Sequence, residues 1–445
     1  MKREAVFSLM PILISLCIFI ALPSQVVSQA IDSFFEAGVH PTASLQSTTR
    51  GKQLMTLFPW RGKLYSGYGD YGANTGPISI YSFSPDSLTF TFEAEANTEA
   101  IYNYRLLNGL LYAPAIDRKS YGIPGDYIKQ DSSGRWTNYN FGSNSTHTFD
   151  AINLNDSVVF MTGSQESNAV VWKSTNNGQT WKKILTDTAI SGVAGDFARF
   201  YFAGVYNGKL YVQARDFYGP MHPNSKVYDG TTWAAGPSLF PTFSSLGWRP
   251  EVFVGKLVYR SWEPGSSTQL RSFNGTTTSW VDSLWVYDCF IDSNYFYALV
   301  DSGYGVKNLR RTTDLINWEN LLRVPNNSRS LAILNGKLFI GTTDSKIVQY
   351  TKPVNLITTI HKEISPEKLT LKFYPNPTVK EFYIHNTLEL PAYLELYDIK
   401  GTKVLSENIT ALNQKIYVGK LVKGLYLIKL VTADHKQGNG IILVE

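Results

Sequence analysis

The chain has 445 residues, 41 Lys and Arg against 36 Asp and Glu, with 43% hydrophobic and only 17% charged residues. That apolar content excludes wholesale disorder, and the sparse charge excludes a coiled coil or long helical array. The net charge of +5, with no Lys/Arg run, excludes a nucleic-acid footprint. The length predicts two or three domains. Abundant Gly, Asn, Ser, Thr, Tyr and Trp predict short strands joined by tight turns.

The N-terminus reads Met1-Lys2-Arg3, then an apolar stretch from Ala5 to Leu22, then small residues at Ser28 and Ala30. This is the order of a secretory signal peptide over 1–28, with cleavage after Ser28 or Ala30. The uninterrupted run from Ile12 to Leu22 is too short to span a bilayer comfortably. Cys17 follows Leu16, not the small residue of a lipoprotein signal. Once the signal is removed, Cys289 stands alone in an apolar run and reads as a small buried hydrophobe. An exported protein held by core burial rather than disulfides is expected.

A short pattern then recurs: two turn residues followed by an apolar-aromatic strand. It appears at Arg61-Gly62, Asn108-Gly109, Asn155-Asp156, Asn207-Gly208, Val254-Gly255, Asp292-Ser293 and Asn335-Gly336. The period is near 45 residues and strands alone fill it, which is the range of a β-propeller. Asn-Gly between apolar runs is a tight-hairpin signal, because both turn residues need positive φ. Each unit reads as four strands, A to D, with a Trp near the last turn. The expected fold is all-β: a seven-bladed β-propeller over 29–351, followed by a small β-sandwich. Each repeat turn should join the innermost strand to its neighbour. A strand near Ser44–Thr49 is expected to complete the short last sheet. A pair of sandwiches would need no seven-fold repeat.

Ser174-Thr175-Asn176-Asn177-Gly178-Gln179-Thr180-Trp181 resembles the Asp-box of sialidase-type propellers, with Asn176 in place of the Asp. Thr312 to Trp318 is a version one residue short, and the Asn-Gly-Lys-Leu-Tyr units also look kelch-like. Such motifs are fold signals and bring no activity. A sialidase would need an arginine cluster and an Arg-Ile-Pro-like segment near the N-terminus. Phe58-Pro59-Trp60-Arg61 is not one.

Asp70, Asp117, Gln165, Asp216, Glu263, Asp301 and Asp344 each follow strand B of their unit. The bland reading is that Asp starts loops by capping its own backbone. The sharper reading is an acidic ring around one mouth. Residues entering strand A on the same face include Tyr102, His147, Arg199, Trp248, Arg249, Tyr287 and Arg329. Arg199, Arg249 and Arg329 would compensate the acids, giving a mixed-charge polar site suited to sugar hydroxyls or a metal ion and unsuited to an apolar ligand. The six His do not cluster and no Gly-rich phosphate loop opens a helix, so no metal and no cofactor are expected.

Residues 352–370, with Pro353 and Pro366, read as a linker. Beyond it come Tyr374-Pro375-Asn376-Pro377-Thr378, then Leu396-Tyr397-Asp398-Ile399-Lys400-Gly401, then Gly424-Leu425-Tyr426-Leu427-Ile428. In this order at the chain end, they closely resemble the type A C-terminal sorting domain of the type IX (Por) secretion system, over about residues 371–445. The resemblance implies a Gram-negative cell, passage through the periplasm, and export across the outer membrane by the type IX machinery. It also implies removal of the tail, then release or attachment to surface lipopolysaccharide. The other reading of this module is a carbohydrate-binding sandwich.

The expected function is a monomeric secreted or surface propeller that binds an extracellular glycan or polymer without chemistry. The alternatives are a glycoside hydrolase or lyase, or a protein-interaction scaffold.

Overall fold

The computed structural model describes residues 33–141, 146–155, 157–240, 249–262, 268–282, 284–303, 305–354, 372–385, 392–411, 413–432 and 437–445. The expected signal peptide and most of the expected linker lie outside these residues. The chain divides into two compact units, Met1–Ile357 and Thr358–Glu445.

The first unit contains seven four-stranded antiparallel sheets among the described residues. Their innermost strands are Thr56–Trp60, Arg105–Leu107, Thr146–Asn153, Gly204–Tyr206, Glu251–Phe253, Trp285–Asp292 and Ser328–Leu334. Each sheet packs on the next, and Ser328–Leu334 returns to pack on Thr56–Trp60. The result is a closed ring of sheets, a β-propeller.

The repeat turns build this ring locally. Asn108 and Gly109 have φ of 53° and 74°, and Asn207 and Gly208 have 47° and 70°. Asn tolerates that region and Gly has no Cβ to clash, so the chain reverses in two residues and sets the register of the two inner strands. The inner strands of the third and sixth sheets shift register between Thr148 and Asp150 and between Val286 and Asp288. These bulges coincide with buried acids, Asp150 at 1% and Asp288 at 2% exposure.

The core lies between neighbouring sheets. Leu57, Tyr65, Phe83, Tyr104, Leu111, Trp136 and Phe339 form one cluster shared by the seventh, first and second sheets. Each such side chain contributes about 1.5–3 kcal/mol by leaving water. In the segment Ser174 to Trp181, Ser174 Oγ accepts from the Gly178 N–H at 2.8 Å and Asn176 Oδ1 from the Thr180 N–H at 2.9 Å. The Trp181 indole donates to Tyr127 Oη of the second sheet at 2.8 Å, so this turn ties two sheets together.

The last sheet closes differently from expectation. Its fourth strand is Phe34–Val39, paired with Lys346–Pro353, while Ala43–Leu45 is a short 3-10 turn. Phe34 stacks on Tyr350 with ring centroids 5.2 Å apart. Within Ser44–Thr49 the one large apolar side chain, Leu45, is 80% exposed. Lys352 and Pro353, assigned above to the linker, still belong to the pairing strand.

The second unit has a three-stranded sheet (Lys372–Tyr374, Glu381–His385, Lys415–Tyr417) and a four-stranded sheet. The latter contains Lys403–Ile409, Ala392–Tyr397, Gly424–Thr432 and Gln437–Val444. Phe382, Leu394, Leu396, Ile416, Tyr426, Ile428 and Ile442 fill the space between them.

Candidate functional site

A cavity of about 530 Å³ opens among the inner strands of the ring. Six aromatic residues line it: Tyr71, Tyr102, Phe149, Tyr201, Trp285 and Tyr287. Four cations share the wall: Arg50, Arg260, Lys307 and Arg329. Gln53, Thr268 and Thr343 add neutral polar groups, and Met55, Ile116 and Val286 complete the lining. Among the described residues, no carboxylate lines it.

Most of the wall comes from chain entering the innermost strands. Gln53 and Met55 precede the first sheet, Tyr102 the second and Tyr201 the fourth, while Trp285, Val286, Tyr287 and Arg329 begin the sixth and seventh. Arg260 and Lys307 reach the cavity from second and third strands. Tyr287 is the centre of the cationic side. Its carbonyl accepts from Arg260 Nη1 and, at 3.2 Å, from Arg329 Nη1. Lys307 Nζ lies 3.7 Å from the Tyr287 ring centroid and donates to the Ser328 carbonyl at 2.6 Å. Arg329 Nε also donates to Gln53 Oε1 at 3.2 Å. Among the described residues, none of these three cations forms an ion pair.

Burial, followed by the nearby Arg329 charge, pushes the Lys307 amine down to about 8. Burial, then repulsion from Arg260, pushes Arg329 down to about 10. Burial also lowers Arg260. On the opposite wall Arg50 Cζ sits 4.6 Å from the Tyr71 ring centroid, and its Nε donates to Tyr102 Oη at 3.1 Å.

The described acids expected to ring the mouth are engaged by loop backbone and by side chains of neighbouring segments, Asp70 also lying 3.9 Å from Arg50 Nε. Asp70 accepts from the Gly72 N–H at 3.1 Å and from Thr48 Oγ1 at 2.8 Å. Asp301 accepts from the Gly303 N–H at 2.8 Å, and Tyr287 Oη lies 3.5 Å from its other oxygen. Asp216 accepts from the Ile190 N–H at 2.8 Å and contacts His222 Nε2 at 2.8 Å. Asp117 pairs with His147, and Asp344 accepts from Asn327 Nδ2 at 2.7 Å. An Asp that starts a loop is consumed by backbone donors within it. None of these described acids is among the residues lining the cavity, whose wall is cationic and aromatic. Glu263 and Trp248 lie outside the described residues.

Of the expected basic and aromatic positions, Tyr102, Tyr287 and Arg329 stand in the cavity wall. Arg199 is set back, its Cζ 4.6 Å from the Phe197 ring centroid and 5.5 Å from that of Phe149. Arg249 pairs with Asp288 at 2.5 Å and lines a second cavity of about 220 Å³. Arg260 borders both cavities. Cys289 lines only the smaller one, where burial pushes its thiol up to about 12, away from any nucleophilic role. Arg50, Arg260 and Lys307 were missed by sequence reasoning. Arg260 sits between Tyr259 and Ser261 and Lys307 is followed by Asn308, so no local pattern marks either. Among the described residues, no group of three or more His, Cys, Asp or Glu could hold a metal ion.

In the tail, Asn376 stitches its loop to the terminal strand. Its Nδ2 donates to the Ile441 carbonyl and its Oδ1 accepts from the Leu443 N–H, each at 2.9 Å. Tyr374, Pro375 and Pro377 flank this anchor, Tyr374 being 72% exposed. Asp398 accepts from the Lys400 and Thr402 N–H groups at 2.9 and 2.8 Å, and Gly401 takes φ of 82° in the same turn. Leu396 and Tyr426 are buried, Tyr426 Oη donating to the Val422 carbonyl at 2.6 Å, just ahead of Gly424. Tyr397 Oη donates to Glu395 at 2.7 Å.

Residues 372–444 match the secretion system C-terminal sorting domain. This type IX sorting tail marks a protein for secretion or display on the cell surface. No curated protein matches the chain. Among solved structures, the chain is similar to the virginiamycin B lyase of Staphylococcus aureus, with 8% identity, a TM-score of 0.47, and coverage of 71% of this chain and 98% of that one. An ulvan lyase of polysaccharide lyase family PL25 gives 12% identity, a TM-score of 0.45, and coverage of 67% and 91%. BamB from Moraxella catarrhalis gives 10% identity, a TM-score of 0.36, and coverage of 66% and 83%. These neighbours are β-propeller proteins.

Proposed function

We propose that this protein is an exported β-propeller that holds an extracellular glycan in its large cavity and does no chemistry on it. The observation that carries this reading is the wall itself: six aromatic side chains around about 530 Å³, interspersed with polar groups. Sugar rings stack on aromatic faces while their hydroxyls take hydrogen bonds. Hydrolysis would call for two carboxyl groups about 5–9 Å apart beside the scissile bond. The lining described above offers no such pair, which favours binding. Residues 1–28 direct the chain to the periplasm, and the tail directs it across the outer membrane before being removed.

A glycan array probed with the full-length protein tests the reading. Retention of at least one glycan class is expected, with loss in Trp285→Ala and Tyr287→Ala. Binding that survives both substitutions would move the site elsewhere, and a blank array would end the glycan reading.

A further inference from the structure

We infer that the group seated on the Tyr287 side of the cavity is an anion, a carboxylate or sulfate carried by the bound sugar. This rests on the glycan reading above and adds the ligand's charge to it. Three cations converge on one residue. Arg260 and Arg329 both donate to the Tyr287 carbonyl, and Lys307 lies 3.7 Å from the centroid of its ring. Arg260 is 7% and Lys307 6% exposed, so water screens their mutual repulsion poorly. A lone carbonyl carries only a partial negative charge and shares it between two guanidiniums. Asp288, the acid nearest this group in the sequence, is already occupied by Arg249 at 2.5 Å and by the Leu331 N–H at 2.9 Å. Asp301 is held by its own loop, as described. Asp288 acts on the two guanidiniums and Asp301 on Lys307 only through space, with no carboxylate in ion-pair contact with any of the three among the described residues, and like charges gathered in such a pocket are the complement of an incoming anion. The planar fork of an arginine suits carboxylate and sulfate alike. Both oxyanions occur on acidic polysaccharides, and a neutral sugar would leave the cluster unanswered.

The test titrates full-length protein with three oligosaccharides of matched length: oligogalacturonate, a sulfated carrageenan oligomer, and a neutral galactan. Inorganic sulfate is followed separately by its effect on melting temperature. One of the acidic sugars should bind about ten-fold or more tighter than the neutral one. Whichever is tighter identifies the oxyanion. Arg329→Gln and Lys307→Gln should each remove most of that preference while the free protein keeps a cooperative melting transition and its affinity for the neutral galactan. If the neutral sugar binds as tightly, the anion inference is overturned while the glycan reading stands. If acidic preference survives both substitutions, the anion sits elsewhere and the inference is also overturned. If no sugar binds but sulfate stabilises the wild type and not the variants, the anion site stands and the glycan reading fails. No response to any probe overturns both.

Discussion

Arg105 of the second sheet and Glu251 of the fifth meet at 3.0 Å, although 146 positions separate them in the chain. The same guanidinium grips both oxygens of Asp150, at 2.9 and 3.0 Å. One buried side chain thus links three innermost strands across the middle of the ring. Replacing Arg105 with Leu strands Asp150 without its counter-charge. Breaking a buried pair in this way costs about 3–5 kcal/mol. Chemical denaturation should show a loss of that size, and a loss under about 1 kcal/mol would mean that water takes over the role.

Acid should weaken the propeller through His40. Its ring is fully buried, with centroids 4.7 Å from Tyr68, 5.2 Å from Phe90 and 5.4 Å from Tyr81, and Nδ1 accepts from the Ala43 N–H at 3.1 Å. Burial holds its pKa down to about 3, below the ordinary 6.5. The unfolded chain therefore binds the proton first, and stability falls as pH drops from about 6.5 towards 3. At pH 4 the loss from this residue is about 3 kcal/mol. Urea midpoints at pH 7 and 4 should differ less in His40→Gln than in the wild type. Equal differences would place the acid sensitivity elsewhere.

Lys307 gives anion binding a pH dependence of the opposite sense. The groups facing it are the Tyr287 ring, the Ser328 carbonyl, Arg329 and Asp301. With its pKa at about 8, it is charged at neutral pH and loses that charge in mild alkali. Affinity for an acidic oligosaccharide should fall, by up to about ten-fold, as pH rises from 7 to 9 at fixed ionic strength, below the range in which Arg329 loses its charge. Lys307→Arg keeps its charge throughout and should flatten the profile. Calorimetry at the two ends of the range decides this, and a flat wild-type profile would remove Lys307 from the site.

Export should depend on the tail. Deleting residues 372–445 is expected to leave folded propeller in the periplasm, seen by cell fractionation and immunoblotting. Asn376→Ala, which cuts both bonds to the terminal strand, should loosen the tail and reduce delivery. Undiminished surface delivery of the deletion would refute the assignment of its role.

The repeat turns were legible because positive φ at two adjacent positions, as at Asn207 and Gly208, is a demand that only a few residue types meet. The tail was legible for a related reason: Asn376, Asp398 and Gly401 each answer a local backbone need. The strand at Phe34–Val39 was not, since its partner lies at the far end of the domain and no local pattern names it. The cavity was half legible. Tyr102, Tyr287 and Arg329 follow from where each inner strand begins. Arg260 and Lys307 depend on the register of second and third strands, and register is a pairing property. Asp is equally useful as a loop cap and as a ligand group, and at Asp70 and Asp301 a backbone N–H of the loop takes one carboxylate oxygen.

The pairing of Phe34–Val39 with Lys346–Pro353 has a kinetic consequence. The seam joins the two ends of the domain, so it cannot form until almost the whole domain is available. Contacts this distant in sequence pay their loop-closure entropy late, which slows assembly and makes ring closure the last step. An unfinished ring would present two open sheet edges, Lys346–Pro353 on one side and its unpaired partner on the other, both prone to recruit a strand from another molecule. Peptides copying Phe34–Val39 would then compete for the vacant edge during refolding and slow the return of native fluorescence.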